Sequence, residues 1–547
     1  MDYLNPDAIA LFIEKTHEAY RENLGEELLP GVMGFFMDET RFYYCYPWTE
    51  RFAEEFRKRK GYDLLPHLHE LFGEGTRTQA EMDYLDTAAE LYKEATFWQV
   101  YRWCEKYGLL STAHLLGEET LAAHARFEID LMRQYEAMHI PGIDHLGCGI
   151  GSLDARFAVS AARNYGKDRV SCEAFGAAGW ETGMEEVIRA SNWLIQQGIN
   201  LLTVHGYYYS TRDGRQNDFP PSYFFQWKDW EKAGDYNRMA ARMMELASGG
   251  RPFEDILVYY PVETFWKHYR PDPLEGTGFG ENSRRLESPR AAQIDREYQI
   301  FLNGLSDRNI PFRIFNSDSA KNFEIREGKW VNRLNGDTFS TFVMVNVEIL
   351  PENVQKLLKT FQESGGRILS WNSGELEKLF PDGTEENAPT AFERDSSCRS
   401  LEELLERCQE VSDIGIDVLE GTSSCRHNQP SYSDHLIDPY IHSGEDLYGM
   451  GISRYDRDGY RIYNFTNYNL REEVLRVRIR GAAEAQIWNP ENGEIREAQI
   501  RNPENGEIRE AQIWNPENGK EWETAGNSCC VIFSVPKNRT RYLVCRA

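Results

Sequence analysis

Arg169-Val170-Ser171-Cys172-Glu173 and Val32-Met33-Gly34-Phe35-Phe36-Met37-Asp38-Glu39 are the two stretches on which the reading of this chain turns. Each is an apolar run of strand length that ends in a carboxylate and passes at once into aromatic and loop residues. A carboxylate at the C-terminal mouth of a buried strand is where a β/α barrel keeps its chemistry. Working outward from the two runs, the spacing predicts strands at 108–116, 140–146, 169–175 and 199–205, the first strand beginning at Gly31-Val32. Helices are predicted at 49–65, 84–107, 120–137, 153–165 and 184–197, and Asn5-Pro6-Asp7 caps an earlier one. Strand alternating with helix at this spacing means parallel βα units.

A second α/β unit begins after Gly249-Gly250, with strands at 256–260, 312–315, 341–345 and 366–370 and helices at 291–305 and 351–363. So few units favour an open, doubly wound, flavodoxin-like sheet over a second barrel. Tyr260-Pro261-Val262-Glu263 stands where a glycine-rich phosphate loop would follow the first strand, so no nucleotide is expected there. From about residue 415 the helical pattern stops, and runs at 461–465, 474–479 and 530–533 read as a C-terminal β-sandwich. Within it a 13-residue segment repeats in tandem across 484–522. Each copy carries Asn-Pro-Glu-Asn-Gly turn chemistry, and the repeats read as a tolerated duplication. The expected division is 1–250, partial barrel; 251–410, flavodoxin-like; and 411–547, β-sandwich.

The net charge of −27 argues against nucleic acid or an anionic membrane as partner, since both need basic surfaces. No apolar run of about 18 residues suggests a membrane span. The N-terminus lacks a signal-peptide pattern, so a cytoplasmic protein is expected. The ten cysteines include no Cys-x-x-Cys pair and read as reduced thiols.

Two carboxylates on strands far apart in sequence are the equipment of glycosidic bond cleavage: one protonates the departing oxygen, the other attacks the sugar or activates water. Glu39 and Glu173 are that pair; singly, each reads equally as a cap or as a partner for a base. Asp38 either points into the wall or orients a neighbour. Glu118 and Glu119 follow the strand at 108–116 and serve either a sugar hydroxyl or metal, or the N-terminal dipole of the next helix. His114, His145 and His205 lie at strand ends and suit hydroxyl hydrogen bonding or a satisfied core. Trp180 and Tyr207 are loop aromatics that fit sugar stacking or rim packing. No His/Cys spacing supports a zinc site.

Placed together, Asp38-Glu39, FAEEFRKRKGY at 52–62 and Cys172-Glu173-Ala174-Phe175-Gly176 resemble glycoside hydrolase family 106, the α-L-rhamnosidases. Asp2-Tyr3-Leu4-Asn5-Pro6, His114-Leu115-Leu116-Gly117-Glu118-Glu119 and the segment from Met138 to His145 fit the same group. More distantly the chain is similar to family 42 β-galactosidases, which share the order barrel, flavodoxin-like domain, β-domain. The resemblance implies that the acid/base closes barrel strand four and the second carboxylate strand seven. Glu39 fits the first. Counting 109–116, 140–146, 169–174 and 199–205 as strands five to eight puts Glu173 at the second. It further implies a calcium-linked, inverting reaction if family 106 governs and a retaining one if family 42 does. The comparable family 42 domain assembles oligomers, so homo-oligomerisation is an expectation for 251–410. The count leaves strands one to three without a counterpart. The chain therefore reads as a truncated glycosidase acting on a glycoside or oligosaccharide, the alternative being an inactive fragment that binds glycan or joins subunits.

Overall fold

A computed structural model describes residues 1–42, 46–271, 288–373, 397–409, 414–420, 449–469, 471–479, 485–498 and 529–546. Five short strands, β1 (Gly34–Met37), β2 (Leu110–Ala113), β3 (Ile140–His145), β4 (Ser171–Ala174) and β5 (Leu201–Val204), form one sheet in that order. Every pairing is parallel. This is a half-barrel, as the count of βα units predicts. β3 is buried at every residue but Asp144, whereas the edge strands β1 and β5 have no fully buried residue. Among the described residues each edge strand has one neighbour instead of two, which leaves its backbone groups on that side without a strand partner.

Helices cover the outer face of the sheet. The Asp154–Asn164 helix buries Phe157 together with Ala155, Ala158, Ala161 and Ala162, small residues that allow close approach to the strands. Three predicted helices differ in detail. The first predicted at 84–107 begins at Gln79, because Thr78 and Glu81 form a reciprocal capping box, and a π-turn at Lys93–Phe97 divides it. The helix predicted at 49–65 is Phe52–Lys60, ended by Gly61 at φ 82°. The helix predicted at 120–137 is broken at Ile129, whose φ is 63°. The Ile129 carbonyl accepts a hydrogen bond of 2.8 Å from Trp266 Nε1, and Asp130 restarts the helix by capping Arg133. The break is a tertiary contact with the second unit, invisible in the local periodicity.

The second unit contains β6 (Arg251–Pro252), β7 (Ile256–Tyr259), β8 (Phe312–Phe315), β9 (Phe323–Arg326), β10 (Lys329–Asn332), β11 (Thr338–Phe339), β12 (Thr341–Val345) and β13 (Arg367–Trp371). Its parallel sheet has the order β13-β12-β7-β8, beside a small β11-β10-β9 meander. The last strands are β14 (Ile414–Glu420), β15 (Met450–Arg457), β16 (Tyr460–Asn467), β17 (Glu473–Ile479), β18 (Ala485–Asn489), β19 (Glu494–Ala498), β20 (Cys529–Val535) and β21 (Thr540–Arg546). They form the sheets β14-β17-β20 and β19-β18-β21-β16-β15-β6. Leu475, Val477, Val531 and Phe533 of the first share a core with Phe465, Leu543 and Cys545 of the second. The first repeat copy is the β18–β19 hairpin, turned at Gly493 with φ 77°. Beyond Glu497 and Ala498, the other two copies lie outside the described residues.

Candidate active site

Side chains along a strand alternate between faces, and paired residues of parallel strands share a face. The register sets Phe36 beside Thr112, Thr112 beside Ile140, Asp144 beside Glu173, and Glu173 beside Thr203. This is the inner face, on which the Thr112 and Ser171 hydroxyls meet at 3.0 Å. Carried to the C-terminal ends, the same alternation delivers Asp38, His114, Asp144, Glu173 and His205, one polar group per strand. Three of these groups are in contact. His114 Nε2 lies 3.1 Å from Glu173 Oε2 and 3.5 Å from Asp38 Oδ1.

Glu39 enters by a different route. Its φ of 41° takes it out of the strand alternation, a conformation that non-glycine residues rarely adopt. Phe175, two residues past Glu173, has φ 72°. Strained backbone therefore flanks both carboxylates, as is common at functional sites. The Glu39 carboxylate lies 3.9 Å from Arg41 and within the electrostatic reach of His114, Asp38 and Glu173.

The two carboxyls are pushed in opposite directions. Burial holds Glu39 above the ordinary carboxylate range, with Asp38 and Glu173 adding to the effect and Arg41 and His114 opposing it. Glu173 is held below that range, first by the hydrogen bond from His114, against the cost of burial. His114 is buried, which disfavours its cation, but the Glu173 hydrogen bond and the charges of Asp144, Glu173 and Asp38 prevail and raise it. Its Nε2 must donate to the carboxylate, since an ionised carboxylate only accepts.

Asp144, to which sequence reasoning gave no role, sits in register with Glu173. Burial pushes its carboxyl up to about 7, with Glu173 and Glu39 adding and His114 opposing. Its Oδ1 is buried without a hydrogen-bond partner among the described residues. Period-two alternation was the signal that could have found it: of Asp144 and His145, only the first can share Glu173's face.

His145 turns outward. Its Nδ1 meets Asp154 at 2.8 Å, its Nε2 meets the Gly149 carbonyl at 3.0 Å, and the ring packs on Trp193. Glu118 is likewise committed: it accepts the backbone N–H groups of Leu115 at 2.9 Å and Asp144 at 3.0 Å, and faces the Tyr135 hydroxyl at 3.3 Å. Burial drives its carboxyl well above the ordinary range. Glu118 and His145, expected at the substrate, make these contacts with the scaffold. Glu119 is half-buried beside Glu118, whose carboxyl its charge raises further. Asp38 does not point into the wall: its side chain is 75% exposed.

His205 follows β5, close enough to Glu173 to favour its ionised form. A Cβ at Gly176 would come within 3.3 Å of the His205 ring, so glycine there permits the approach. Trp180 donates from Nε1 to the Gln216 carbonyl at 2.8 Å and meets Tyr208 edge-on. Tyr207 is 55% exposed and packs edge-on against Phe224 and Trp230, giving an aromatic wall on the loop after β5. Among the described residues no group of three or more His, Cys, Asp or Glu is disposed to hold a metal ion.

Comparison with known proteins bears on this arrangement. Residues 1–279 match the family model for glycoside hydrolase family 106, alpha-L-rhamnosidase. No curated protein sequence matches the chain. Among solved structures, a rhamnosidase from Novosphingobium sp. PP1Y superposes with a TM-score of 0.67 at 15% identity, covering 100% of this chain and 48% of that one. The chain thus spans about half the length of that enzyme. A β-galactosidase from Bacillus circulans sp. alkalophilus gives 0.56 at 10% identity, covering 99% of this chain and 82% of that one. An apo exo-carrageenase of family 42 from Bacteroides ovatus gives 0.52 at 10% identity, covering 91% and 62%. At these identities the superpositions speak for the fold alone, and the family rests on the sequence match, which covers residues 1–279 of 547: the chain belongs to the α-L-rhamnosidase family, glycoside hydrolase family 106.

Proposed function

We propose that this chain carries the catalytic carboxylates of an α-L-rhamnosidase-like glycosidase, with Glu39 as general acid and Glu173 as general base or nucleophile. The observation that carries the reading is the opposed environment of the two groups. Burial raises the Glu39 carboxyl above the ordinary range, while the His114 hydrogen bond lowers that of Glu173. Two carboxyls driven apart in this way are the pattern of an acid and a base on one site. In the proposed reaction Glu39 gives its proton to the glycosidic oxygen as the C–O bond breaks. Glu173 either attacks the anomeric carbon or takes a proton from the attacking water. His114 positions Glu173 and holds its charge. Tyr207 and Trp180 supply aromatic faces for the sugar, and His205 a hydroxyl contact.

The division into a partial barrel at 1–250, a flavodoxin-like unit at 251–410 and a β-sandwich at 411–547 belongs to the same proposal. The test is turnover of p-nitrophenyl α-L-rhamnoside beside the β-galactoside by the chain and by Glu39→Gln and Glu173→Gln. Each variant is expected to lose about 10²–10⁴ in kcat. Near-normal turnover in either variant removes that residue from the mechanism. The product anomer, read by NMR at early times, separates inversion from retention.

A second reading has its own support. Phe36, on the inner face of an edge strand, is 49% exposed, and Met33 just before it is 61% exposed. An open sheet edge with apolar flanks suits a glycan-binding or subunit-joining fragment without turnover. Glycoside binding with no hydrolysis by the wild-type chain would favour it.

A further inference from the structure

At the N-terminal end of β4, opposite the carboxylates, the half-barrel, the second unit and the β-sheet strand β15 enclose a cavity of about 160 Å³. By the same measure a single water needs about 10–15 Å³. Arg156 and Arg163 reach it from one stripe of the Asp154–Asn164 helix. Arg163 is paired with Asp168 at 3.0 Å and Asp337 at 3.6 Å. Arg156 has no ion pair among the described residues. Its guanidinium lies over the Phe312 ring at 5.2 Å, and its buried Nε has no hydrogen-bond partner among the described residues. Glu254, the nearest acid to act on it, is held by Arg313 at 2.6 Å. The Tyr468 hydroxyl, which Thr466 faces, lines the same cavity without a partner at bonding distance among the described residues. A Cβ at Gly451 would come within 2.8 Å of that hydroxyl, so glycine keeps the space beside it open.

A guanidinium whose buried Nε lacks a partner is costly, and the cost is relieved when an anion accepts its planar fork of N–H donors. We propose that this cavity binds a small oxyanion, a carboxylate- or phosphate-bearing molecule, between Arg156 and the Tyr468 hydroxyl. The site is remote from the glycosidase mouth and joins segments from all three parts of the chain. Binding there would tie the parts together, so its first readout is stability of the whole chain.

The experiment titrates the full chain with inorganic phosphate and, separately, citrate, against potassium chloride at equal ionic strength, following Tm and heat. One of the two anions is expected to raise Tm by a few degrees at millimolar concentration, where chloride does not. The responding anion distinguishes phosphate from carboxylate as the ligand group. Arg156→Gln should abolish the rise without lowering Tm in the absence of anion, because it removes an unpaired charge. Tyr468→Phe, which removes only the hydroxyl, should weaken the same binding about tenfold. Equal responses to both anions and to chloride would overturn the proposal, as would an unchanged response in Arg156→Gln. Should Arg156→Gln fail to fold, an unchanged affinity in Tyr468→Phe decides against the proposal and a weakened one supports it.

Discussion

At the residue scale the account rests on His114, because one imidazole sets the charge of Glu173. His114→Gln keeps a neutral donor at that position but removes the titratable imidazole. The acidic limb of the pH profile of kcat/KM should then move to higher pH, since Glu173 loses the partner that depresses it. The basic limb, set by deprotonation of Glu39, should move less: burial is the main cause there and His114 a smaller opposing influence. In the wild type activity should fall below the lowered pKa of Glu173, where the base is protonated, and above the raised pKa of Glu39, where the acid is lost. The check is kcat/KM against pH for both proteins. An acidic limb that stays in place would show that His114 is structural only. Glu39 and Glu173 were legible in the sequence as acids closing apolar runs. Asp144 was overlooked beside a more conspicuous histidine, although strand alternation alone chooses between the two. The scaffold roles of Glu118 and His145 were not legible, because their partners Tyr135 and Asp154 meet them only in three dimensions.

Elements come next, and the half-barrel depends on how their ends are tied. Glu118 joins the turn after β2 to the end of β3 through two backbone N–H groups. Glu118→Ala leaves both donors unsatisfied in a buried place and should cost about 1–3 kcal/mol per donor at most. Chemical denaturation would read this as a lower midpoint at unchanged slope; a midpoint like that of the wild type contradicts the assignment. A second tie lies in the following unit. Burial opposes the ionised form of Glu348, yet hydrogen bonds from His268 at 2.7 Å and Arg290 at 2.8 Å hold its carboxyl down at about 2. A depressed folded pKa contributes stability that is fully present above the unfolded value and lost as pH falls through the folded one. The excess Tm of wild type over Glu348→Gln should therefore be constant above about pH 5 and fade between about pH 4 and 2. A gap that persists below that window would contradict the tie. The strands were legible because buried parallel strands are short, apolar and bounded by turn residues. Helix ends were less so: Ile129 interrupts a continuous apolar stripe because Trp266, from the next unit, takes its carbonyl.

For the whole molecule the open sheet has a physical consequence. β1 and β5 each present unpaired backbone groups on one side, and the exposed Phe36 and Met33 lie on the same rim as β1. Edges of this kind seek partners, so residues 1–547 alone should self-associate in light scattering and turn over substrate weakly. A monodisperse monomer with turnover near the usual enzyme median of about 10 s⁻¹ would show that five strands suffice. The opposed carboxylates are also a property of the assembled sheet, since β1 and β4 meet the same mouth only through β2 and β3. That opposition can be measured without any turnover. Carboxyl ¹³C NMR of the full chain labelled at glutamate, with Glu39→Gln and Glu173→Gln to assign the two signals, follows each group through pH. The account predicts that Glu39 titrates above the ordinary glutamate value of about 4.3 and Glu173 below it. Two ordinary titrations, or the reverse order, would contradict the assignment of acid and base.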